Sequence, residues 1–238
     1  MSRCIMTLSG RMLWLTDDAS ILVSQLRGEG GVVDLRCPPR LAYGVNTDAM
    51  ISGAACTLGY TPEILGPHFL ENFAGAIAKD SVRSGRFDVI VAGDAYGSGS
   101  SREVAVVAHV GAGIRLVVAA SFQRIFQENM VYGGLPFTSD FGILERIASG
   151  GDIDLAALAD ELPPFFRAVA RSGGLLRYGS ALLAGTIAPP IPASPGKRPS
   201  NCVEKIIAAR AYTGHGFGAP SVRPGDQLLC EAGFRGMH

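Results

Sequence analysis

The residues best suited to chemistry lie in a glycine-rich stretch, AGDAYGSGSSREVA, which spans Ala92–Ala105. Ser100, Ser101 and Arg102 follow its last glycine, where the pattern predicts the start of a helix. Unpaired backbone N–H groups and the helix dipole favour negative charge at such a start. The planar guanidinium of Arg102 suits a carboxylate. The stretch therefore predicts an anion-binding site with a hydroxyl group beside it.

Other functions fit parts of this stretch. Ser100 could be a helix N-cap, and Glu103, three residues later, would complete a capping box. A dinucleotide-binding loop needs the spacing G-x-G-x-x-G, but Gly97 and Gly99 lack the third glycine and no acidic ribose partner is evident after the second strand. A Walker phosphate-binding loop is excluded because the Gly-Lys-Ser/Thr ending is missing. The local sequence leaves the capping box and the dinucleotide loop open beside the anion site.

Apolar runs and helical spacing surround this stretch. Asp88–Ala92 and Ile114–Ala120 predict two buried strands. Ser101–Val110 has the spacing of a helix between them. Ser121 is placed to cap a second helix, which ends at Gly133-Gly134. This strand–helix–strand–helix order predicts an α/β fold with a partly parallel sheet.

Further elements are predicted on both sides of this core. Met12–Leu15 indicates a short strand, Ala19–Leu26 a short helix, and Val32–Leu35 is an apolar run. Leu155–Ser172 has helical spacing and is expected to break or kink at Pro163-Pro164.

Composition limits the class of protein. The chain has 238 residues, of which 47% are hydrophobic, so it can bury a sizeable core. Lys+Arg and Asp+Glu both number 21, and this balance argues against a nucleic-acid or membrane-surface partner. No apolar stretch is long enough to span a bilayer, and the N-terminal residues lack the pattern of a signal peptide. We therefore expect a cytoplasmic protein.

The cysteines and histidines are scattered along the chain. No two of the five cysteines have the spacing CxxC, so free thiols are expected and an iron–sulfur cluster held within this chain is not. His109 falls late on an apolar helix and is expected to be structural. The cysteines are Cys4, Cys37, Cys56, Cys202 and Cys230.

Three ordered blocks within Leu41–Gly142 resemble one known family. The first block, GDAYGSGSSREV, resembles the family pattern G-x-N-[FY]-G-x-G-S-S-R-E-H. The second block, IRLVVAASFQRIFQENMVYGGLP, resembles the family segment that follows this pattern, which consists of a strand, Ser-Phe, an Ile-Phe helix, an Asn and Gly-Leu-Pro. Upstream, Asn46, Thr47 and Asp48 match the block N-x-D-T-D-x-I-x-P. These are signatures of the swivel domain of aconitases and 3-isopropylmalate dehydratase small subunits. The resemblance implies a swivelling β/β/α domain of the α/β class.

The resemblance also implies an activity and a set of site residues. The activity is a hydro-lyase reaction that isomerises a hydroxy di- or tricarboxylate by dehydration and rehydration, most commonly for leucine biosynthesis. Ser100 matches the serine that acts as the catalytic base in the family. The other implied roles are catalysis and carboxylate binding by Arg102, and substrate binding by Ser101, Thr47, Asp48, Gly97 and Gly99.

The implied cofactor and partner lie outside this chain. The family reaction needs a 4Fe-4S cluster whose iron acts as a Lewis acid on the leaving hydroxyl. The resemblance assigns that cluster to a large catalytic subunit or portion. We therefore expect this chain to work with a cluster-bearing partner and a small hydroxy acid substrate.

The chain departs from the family pattern at several positions. Ala95 replaces the Asn after Gly-Asp, Val104 replaces the His after Arg-Glu, and Ser52-Gly53 stands where the conserved proline is usual. The loop Ile51–Leu65 matches the family's substrate-tuning segment, but it lacks a bulky Tyr-Leu pair and has Cys56 and Thr57 in that neighbourhood. These changes leave open an alternative, a degenerate non-catalytic domain that binds a partner or an acid metabolite.

The C-terminal part shows a second resemblance. NCVEKIIAARA and VRPGDQLLCEAGFRGMH resemble the opening of the large subunit, with its T-x-x-E-K-I and V-x-P-G-D blocks, and His238 could be an active-site histidine of that portion. We expect a swivel domain with an N-terminal extension at 1–185, a Pro-rich linker at 186–200 and the start of a large-subunit-like segment at 201–238. The chain thus resembles the front part of a fused enzyme.

Overall fold

The computed structural model describes residues 5–8, 11–29, 34–191, 199–219 and 221–233. The strands are β1 (Ile5–Thr7), β2 (Met12–Trp14), β3 (Val89–Ala92), β4 (Leu116–Ala119), β5 (Phe137–Thr138) and β6 (Asp152–Asp154). The helices are α1 (Ala19–Arg27), α2 (Thr47–Met50), α3 (Gly53–Cys56), α4 (Pro62–Leu65), α5 (Ser81–Ser84), α6 (Glu103–Gly111), α7 (Arg124–Gly133), α8 (Ile143–Ala148), α9 (Leu155–Leu158), α10 (Pro164–Arg171), α11 (Leu175–Leu183) and α12 (Cys202–Arg210). Short 3-10 turns lie at Gly66–His68 and Phe73–Gly75.

A parallel four-stranded sheet forms the centre, in the order β2-β3-β4-β5. Leu13 lies opposite Ile90, Ile90 opposite Val117, and Val117 opposite Phe137. Strands β1 and β6 pair separately as an antiparallel ribbon. Every residue of β3 and β4 is buried, as expected for a parallel sheet covered on both faces. The predicted α/β fold with a partly parallel sheet is confirmed.

The two faces of the sheet pack against different hydrophobic clusters. Leu13, Ile90 and Val117 belong to one cluster, which also contains the buried residues of α6 and α7. Trp14 and Val91, one position away along their strands, belong to the other cluster, which contains α8. This alternation follows from the two-residue repeat of a strand. The helices α6 and α7, which carry the candidate site, are therefore anchored on one face.

Several helix boundaries differ from the sequence-based expectation. The helix expected at Ser101–Val110 begins at Glu103, with Arg102 at the N-cap position. The helix expected to begin at Ser121 begins at Arg124, so the prediction that Ser121 caps it is wrong. The break expected at Pro163-Pro164 is confirmed, because α9 ends before it and α10 begins with a proline in its first turn.

The chain divides into two compact units, Met1–Tyr178 and Gly179–His238. In the second unit Asn201 and Glu204 form a capping box at the start of α12, and Arg223 pairs with the buried carboxylate of Glu204 at 3.1 Å. The sequence DQLLCEAGF (226–234) predicts a strand, but the described part of it, 226–233, forms one isolated bridge, between Cys230 and Ala211. The expected strand is therefore wrong over the described residues, because it has no long strand beside it.

The V-x-P-G-D block of this unit is a turn in the structure. The N–H of Asp226 donates to the carbonyl of Arg223 at 3.1 Å, and the Asp226 carboxylate accepts from the N–H of Arg223 at 2.8 Å. Gly225 has a φ of 96°, which glycine adopts without strain. Turn chemistry thus accounts for the residue types of this block.

Some expectations concern residues outside the described ranges. Cys4, Val32, the central part of the expected linker (192–198) and His238 lie there. In the part of the chain that the structure covers, no helix is both long and apolar enough to cross a bilayer.

Candidate active site

The glycine-rich loop 93–100 leaves the carboxyl end of β3, the edge where parallel sheets usually bind ligands. Backbone hydrogen bonds fix one side of the loop. The N–H of Gly97 donates to the carbonyl of Val45 at 2.9 Å, and the N–H of Thr47 donates to the carbonyl of Ser98 at 2.9 Å. The loop is therefore joined to the segment that carries Thr47 into α2.

The other side of the loop is fixed by the segment between β4 and α7. The N–H of Tyr96 donates to the carbonyl of Ser121 at 3.0 Å, and the N–H of Gln123 donates back to the carbonyl of Tyr96 at 2.9 Å. The hydroxyl of Ser121 accepts from the N–H of Ala95 at 2.9 Å and donates to Asp94 at 3.0 Å. These bonds explain why Ser121 does not cap α7: its hydroxyl is used to order the loop.

A buried Tyr–His pair anchors the loop to α6. The Tyr96 hydroxyl lies 2.7 Å from Nε2 of His109, and Nδ1 of His109 donates to the carbonyl of Ala105 at 2.6 Å. Burial raises the pKa of Tyr96 and lowers the pKa of His109 to about 4, against the smaller opposing effect of its bond to Ala105. His109 is neutral at pH 7, so its Nε2 accepts a hydrogen bond from the Tyr96 hydroxyl. Its position agrees with the expected structural role.

Two glycines of the loop are required by geometry. Gly97 has a φ of 81°, and a Cβ there would lie 2.2 Å from Cγ of Phe126. Gly99 has a φ of 92°, and the nearest atom to a Cβ there would be Oγ1 of Thr47 at 3.4 Å. A side chain at Gly97 would collide with the core, whereas one at Gly99 would mainly strain the backbone.

Ser100 and Ser101 are exposed beyond this fixed part of the loop. Oγ1 of Thr47 donates to the backbone carbonyl of Ser100 at 2.8 Å and lies 3.5 Å from its hydroxyl oxygen. Helix α6 has no side-chain cap, so the capping box of Ser100 and Glu103, which the sequence left open as an alternative, does not form. The reason is that the helix begins two residues later than the sequence indicates, which leaves the Ser100 hydroxyl out of the cap.

Arg102 is held by two partners from the segment around α2. Nη1 donates to the carbonyl of Ile51 at 2.9 Å, and Nη2 lies 2.5 Å from the carboxylate of Asp48. The Arg102 side chain is 25% exposed and that of Asp48 is 61% exposed. Asp48, predicted to bind substrate, thus contacts Arg102, and its negative charge orients that guanidinium.

One open cleft of about 450 Å³ collects most of the predicted residues. From the sequence-based set it is lined by Thr47, Gly97, Gly99, Ser100, Ser101 and Arg102. Its other wall is lined by Gln123, Arg124, Ile125, Phe126, Glu128 and Asn129, which sequence reasoning did not assign to the site. These residues belong to the SFQRIFQEN block, which is one of the sequence blocks that carry the family resemblance. A larger cavity of about 730 Å³ near α7, α9 and α10 contains no predicted site residue.

Comparison with known proteins agrees with these motifs. A family model described as the aconitase C-terminal domain matches residues 76–139. The 3-isopropylmalate dehydratase small subunit of Pyrobaculum aerophilum is 40% identical over 48% of this chain and 70% of its own length. The isopropylmalate/citramalate isomerase small subunit of Methanocaldococcus jannaschii is 36% identical over 58% of this chain and 89% of its own length.

The chain belongs to the 3-isopropylmalate dehydratase small-subunit family. A solved structure of 3-isopropylmalate dehydratase (leuD) from Methanocaldococcus jannaschii is 30% identical, covers 60% of this chain and 92% of its own, and superposes with a TM-score of 0.43. Membership confirms the expected fold class and the prediction that the chain is a component of an aconitase-type hydro-lyase.

Two departures from the pattern of the dehydratase small subunits, Val104 and Ser52, have local explanations, whereas nothing in the structure explains Ala95. Ala95 has a φ of 57°, a conformation that Asn tolerates better than Ala. Val104 packs against the core cluster on α6. Ser52 accepts a hydrogen bond from the N–H of Ala55 at 3.2 Å and so caps α3. None of these changes removes a hydroxyl or guanidinium from the cleft.

The dehydratase family implies an iron–sulfur cluster, and the thiols described in this chain do not fit one. Cys37, Cys202 and Cys230 are exposed, Cys56 is half-buried, and all four are free. Across the described ranges, no group of three or more His, Cys, Asp or Glu side chains is placed to hold a metal ion. A cluster needs several thiolates at one place. The side chains that line the candidate cleft supply hydroxyl, guanidinium, amide and carboxylate groups and no thiol.

Proposed function

We propose that this chain binds and deprotonates a hydroxy di- or tricarboxylate, such as an isopropylmalate, for isomerisation together with a cluster-bearing large subunit. The observation that carries the proposal is the cleft itself. Ser100, Ser101 and Arg102 share one open cleft with Thr47, although Thr47 and Ser100 lie 53 residues apart in sequence. A hydroxyl and a partly buried guanidinium at one opening suit an acid whose adjacent C–H must be broken.

Ser100 is proposed as the base. Its alkoxide would take the proton from the carbon next to the hydroxyl-bearing carbon, and the C–H electron pair would become the new double bond. A serine hydroxyl is a poor base in water, so its anion needs preorganised donors. The backbone N–H of Ser101 and the side chain of Arg102 are suitable donors. The bond from Thr47 to the Ser100 carbonyl supports this role by fixing the backbone that carries the hydroxyl.

Arg102 is proposed to bind a substrate carboxylate. A guanidinium has five N–H donors, and the carbonyl of Ile51 and the carboxylate of Asp48 leave donors free for a further acceptor. These two partners hold the guanidinium in one orientation before substrate arrives. A preorganised charge costs less reorganisation than a mobile one. Asp48 is therefore proposed to act on the substrate through Arg102.

The large subunit is proposed to bring the 4Fe-4S cluster, whose Lewis acidity would help the hydroxyl to leave. The scattered, separate thiols of the described residues support this division of labour. The segment 201–238, proposed as the start of a large-subunit-like portion, carries the capping box and turn described above. The competing function, a non-catalytic binding module, would use the same cleft without proton transfer.

Two neighbouring serines test the proposal. Ser100→Ala in the complex with the large subunit should lower kcat for 3-isopropylmalate by about a thousandfold or more, because the base is lost. Ser101→Ala keeps its backbone N–H and should lower kcat by no more than about tenfold. Steady-state turnover of both variants is the measurement. Normal turnover by Ser100→Ala would remove Ser100 as the base, and absence of turnover in the unmodified complex would favour the binding module.

A further inference from the structure

Residues of the first turns of α7 also line the cleft, and they include a second arginine. Arg124 is the first residue of α7, and its side chain is 89% exposed. Its Nε lies 3.1 Å from the carboxylate of Glu128, one helical turn later. Arg124 therefore has an acidic partner that orients it, as Arg102 has Asp48.

The free donors distinguish the two arginines. Both terminal nitrogens of Arg102 contact protein groups, namely Ile51 and Asp48. Arg124 uses Nε for Glu128, and within the described ranges neither of its terminal nitrogens has a protein partner. Those two nitrogens form the edge of the guanidinium that binds a carboxylate in two-point fashion. Arg124 is thus the cleft arginine with an open carboxylate-binding edge.

Helix stability does not explain a cation at this place. Positive charge in the first turn of a helix opposes the helix dipole. The first turn of α7 also has no side-chain cap, and its residues line the cleft. An anion bound beside Arg124 would offset both effects.

Asn129, which also lines the cleft, has an amide group that lacks a hydrogen-bond acceptor. Its Nδ2 is shielded from solvent and has no hydrogen-bond partner among the described residues. Shielded amide groups nearly always have one. Because Asn129 lines the cleft, an oxygen atom bound at this wall would supply the partner once the amide turns toward it.

We infer that Arg124 is a specificity-determining residue that receives a second carboxylate of the substrate, across the cleft from the carboxylate bound by Arg102, with Asn129 beside it. This inference rests on the proposed function and adds to it that two different arginines of the cleft receive the two carboxylates of the substrate. A hydroxy monocarboxylate would engage Arg102 alone.

Calorimetry on the full chain tests this with a matched pair of acids. The first is 3-isopropylmalate, and the second is 2-hydroxy-4-methylpentanoate, the same skeleton without the second carboxylate. Arg124→Gln should weaken binding of the diacid about tenfold or more and leave binding of the monoacid unchanged. Arg124→Lys, which keeps the charge but not the fork, should recover part of the loss. Arg146→Gln, on an exposed face of α8 away from the cleft, should change neither affinity.

Each other outcome has a defined meaning. Equal weakening of both acids by Arg124→Gln would reduce Arg124 to a general source of positive charge and overturn the inference. An effect of Arg102→Gln on both acids, with none of Arg124→Gln on either, would overturn the inference and leave the proposed function standing. If the unmodified chain binds neither acid at millimolar concentration, or Arg102→Gln changes neither affinity, both fall.

Discussion

The two halves of the glycine-rich loop differ in their burial and in their hydrogen bonding to the rest of the fold. The first half, 93–97, is largely buried and hydrogen-bonded on both sides, and Tyr96 is fixed in the core by His109. The second half, which ends at Ser100, lines an open cleft, where Ser100 and the adjoining Ser101 are exposed. The contrast shows how the Ser100 hydroxyl, which we propose as the base, can be both accessible and precisely placed. Rigidity is supplied by the residues immediately before it.

Changing the two loop glycines to alanine should give the largest difference between the halves. Gly97→Ala would place a methyl group against the buried ring of Phe126 and should lower the free energy of unfolding by about 3 kcal/mol or more. Gly99→Ala meets only ordinary contacts and should cost about 1–2 kcal/mol of backbone strain. Urea denaturation of both variants measures the difference. Equal costs would mean that the first half of the loop is no more tightly packed than the second.

The buried Tyr–His anchor should make stability depend on pH. The pKa of His109 is lowered to about 4 in the folded chain, whereas an unfolded histidine has a pKa of about 6.5. Between these values the unfolded chain binds a proton that the folded chain does not, so stability falls as the pH falls from about 6.5 to about 4. Between pH 7 and pH 5 the loss from this group should be about 2 kcal/mol.

A pair of histidine variants isolates that contribution. His109→Gln should remove the pH-dependent part of the unfolding free energy, whereas His215→Gln, at an exposed position in the other unit, should keep it. Chemical unfolding at the two pH values gives the comparison. If His109→Gln shows the same pH dependence as the unmodified chain, the anchor is not a neutral, buried histidine.

The substitution Ala95→Gly should have the smallest effect on stability, and it should stabilise the fold where the other changes destabilise it. Its φ of 57° is strained for alanine, so Ala95→Gly should raise the free energy of unfolding by up to about 1 kcal/mol. The same change within a helix, Ala168→Gly in α10, should lower it by about as much. Thermal unfolding of both variants checks the sign. A decrease for Ala95→Gly would contradict the view that the backbone at Ala95 is strained, because glycine keeps the N–H that donates to Ser121.

The sequence pattern predicts correctly those elements of the fold that are determined by residues close together in sequence. The apolar runs around Ile90 and Val117 are the central strands, and Gly134, with a φ of 71°, ends α7 as its sequence position indicates. The cap predicted at Ser121 does not form, and neither does the capping box that stayed an alternative at Ser100. Local sequence favours a cap at both serines, but contacts with residues distant in sequence set the surroundings of each hydroxyl.

The site was predictable on one wall and not on the other. Ser100 and Arg102 stand in a recognisable motif, so their types and spacing were enough to select them. Arg124 and Asn129 have the sequence pattern of an ordinary helix surface, and only the packing of α7 beside the loop brings them to the cleft. The pairing of Arg102 with Asp48 likewise depends on tertiary contact.

Proton transfer at Ser100 can be observed directly with an isotopically labelled substrate. In the complex with the large subunit, 3-isopropylmalate carrying deuterium at the carbon next to the hydroxyl-bearing carbon should lose that label to water, as followed by NMR. Ser100→Ala should stop this loss while retaining affinity for the acid and an unchanged unfolding free energy, because the hydroxyl lies in the open half of the loop. Loss of the label at the unmodified rate in Ser100→Ala would contradict the account.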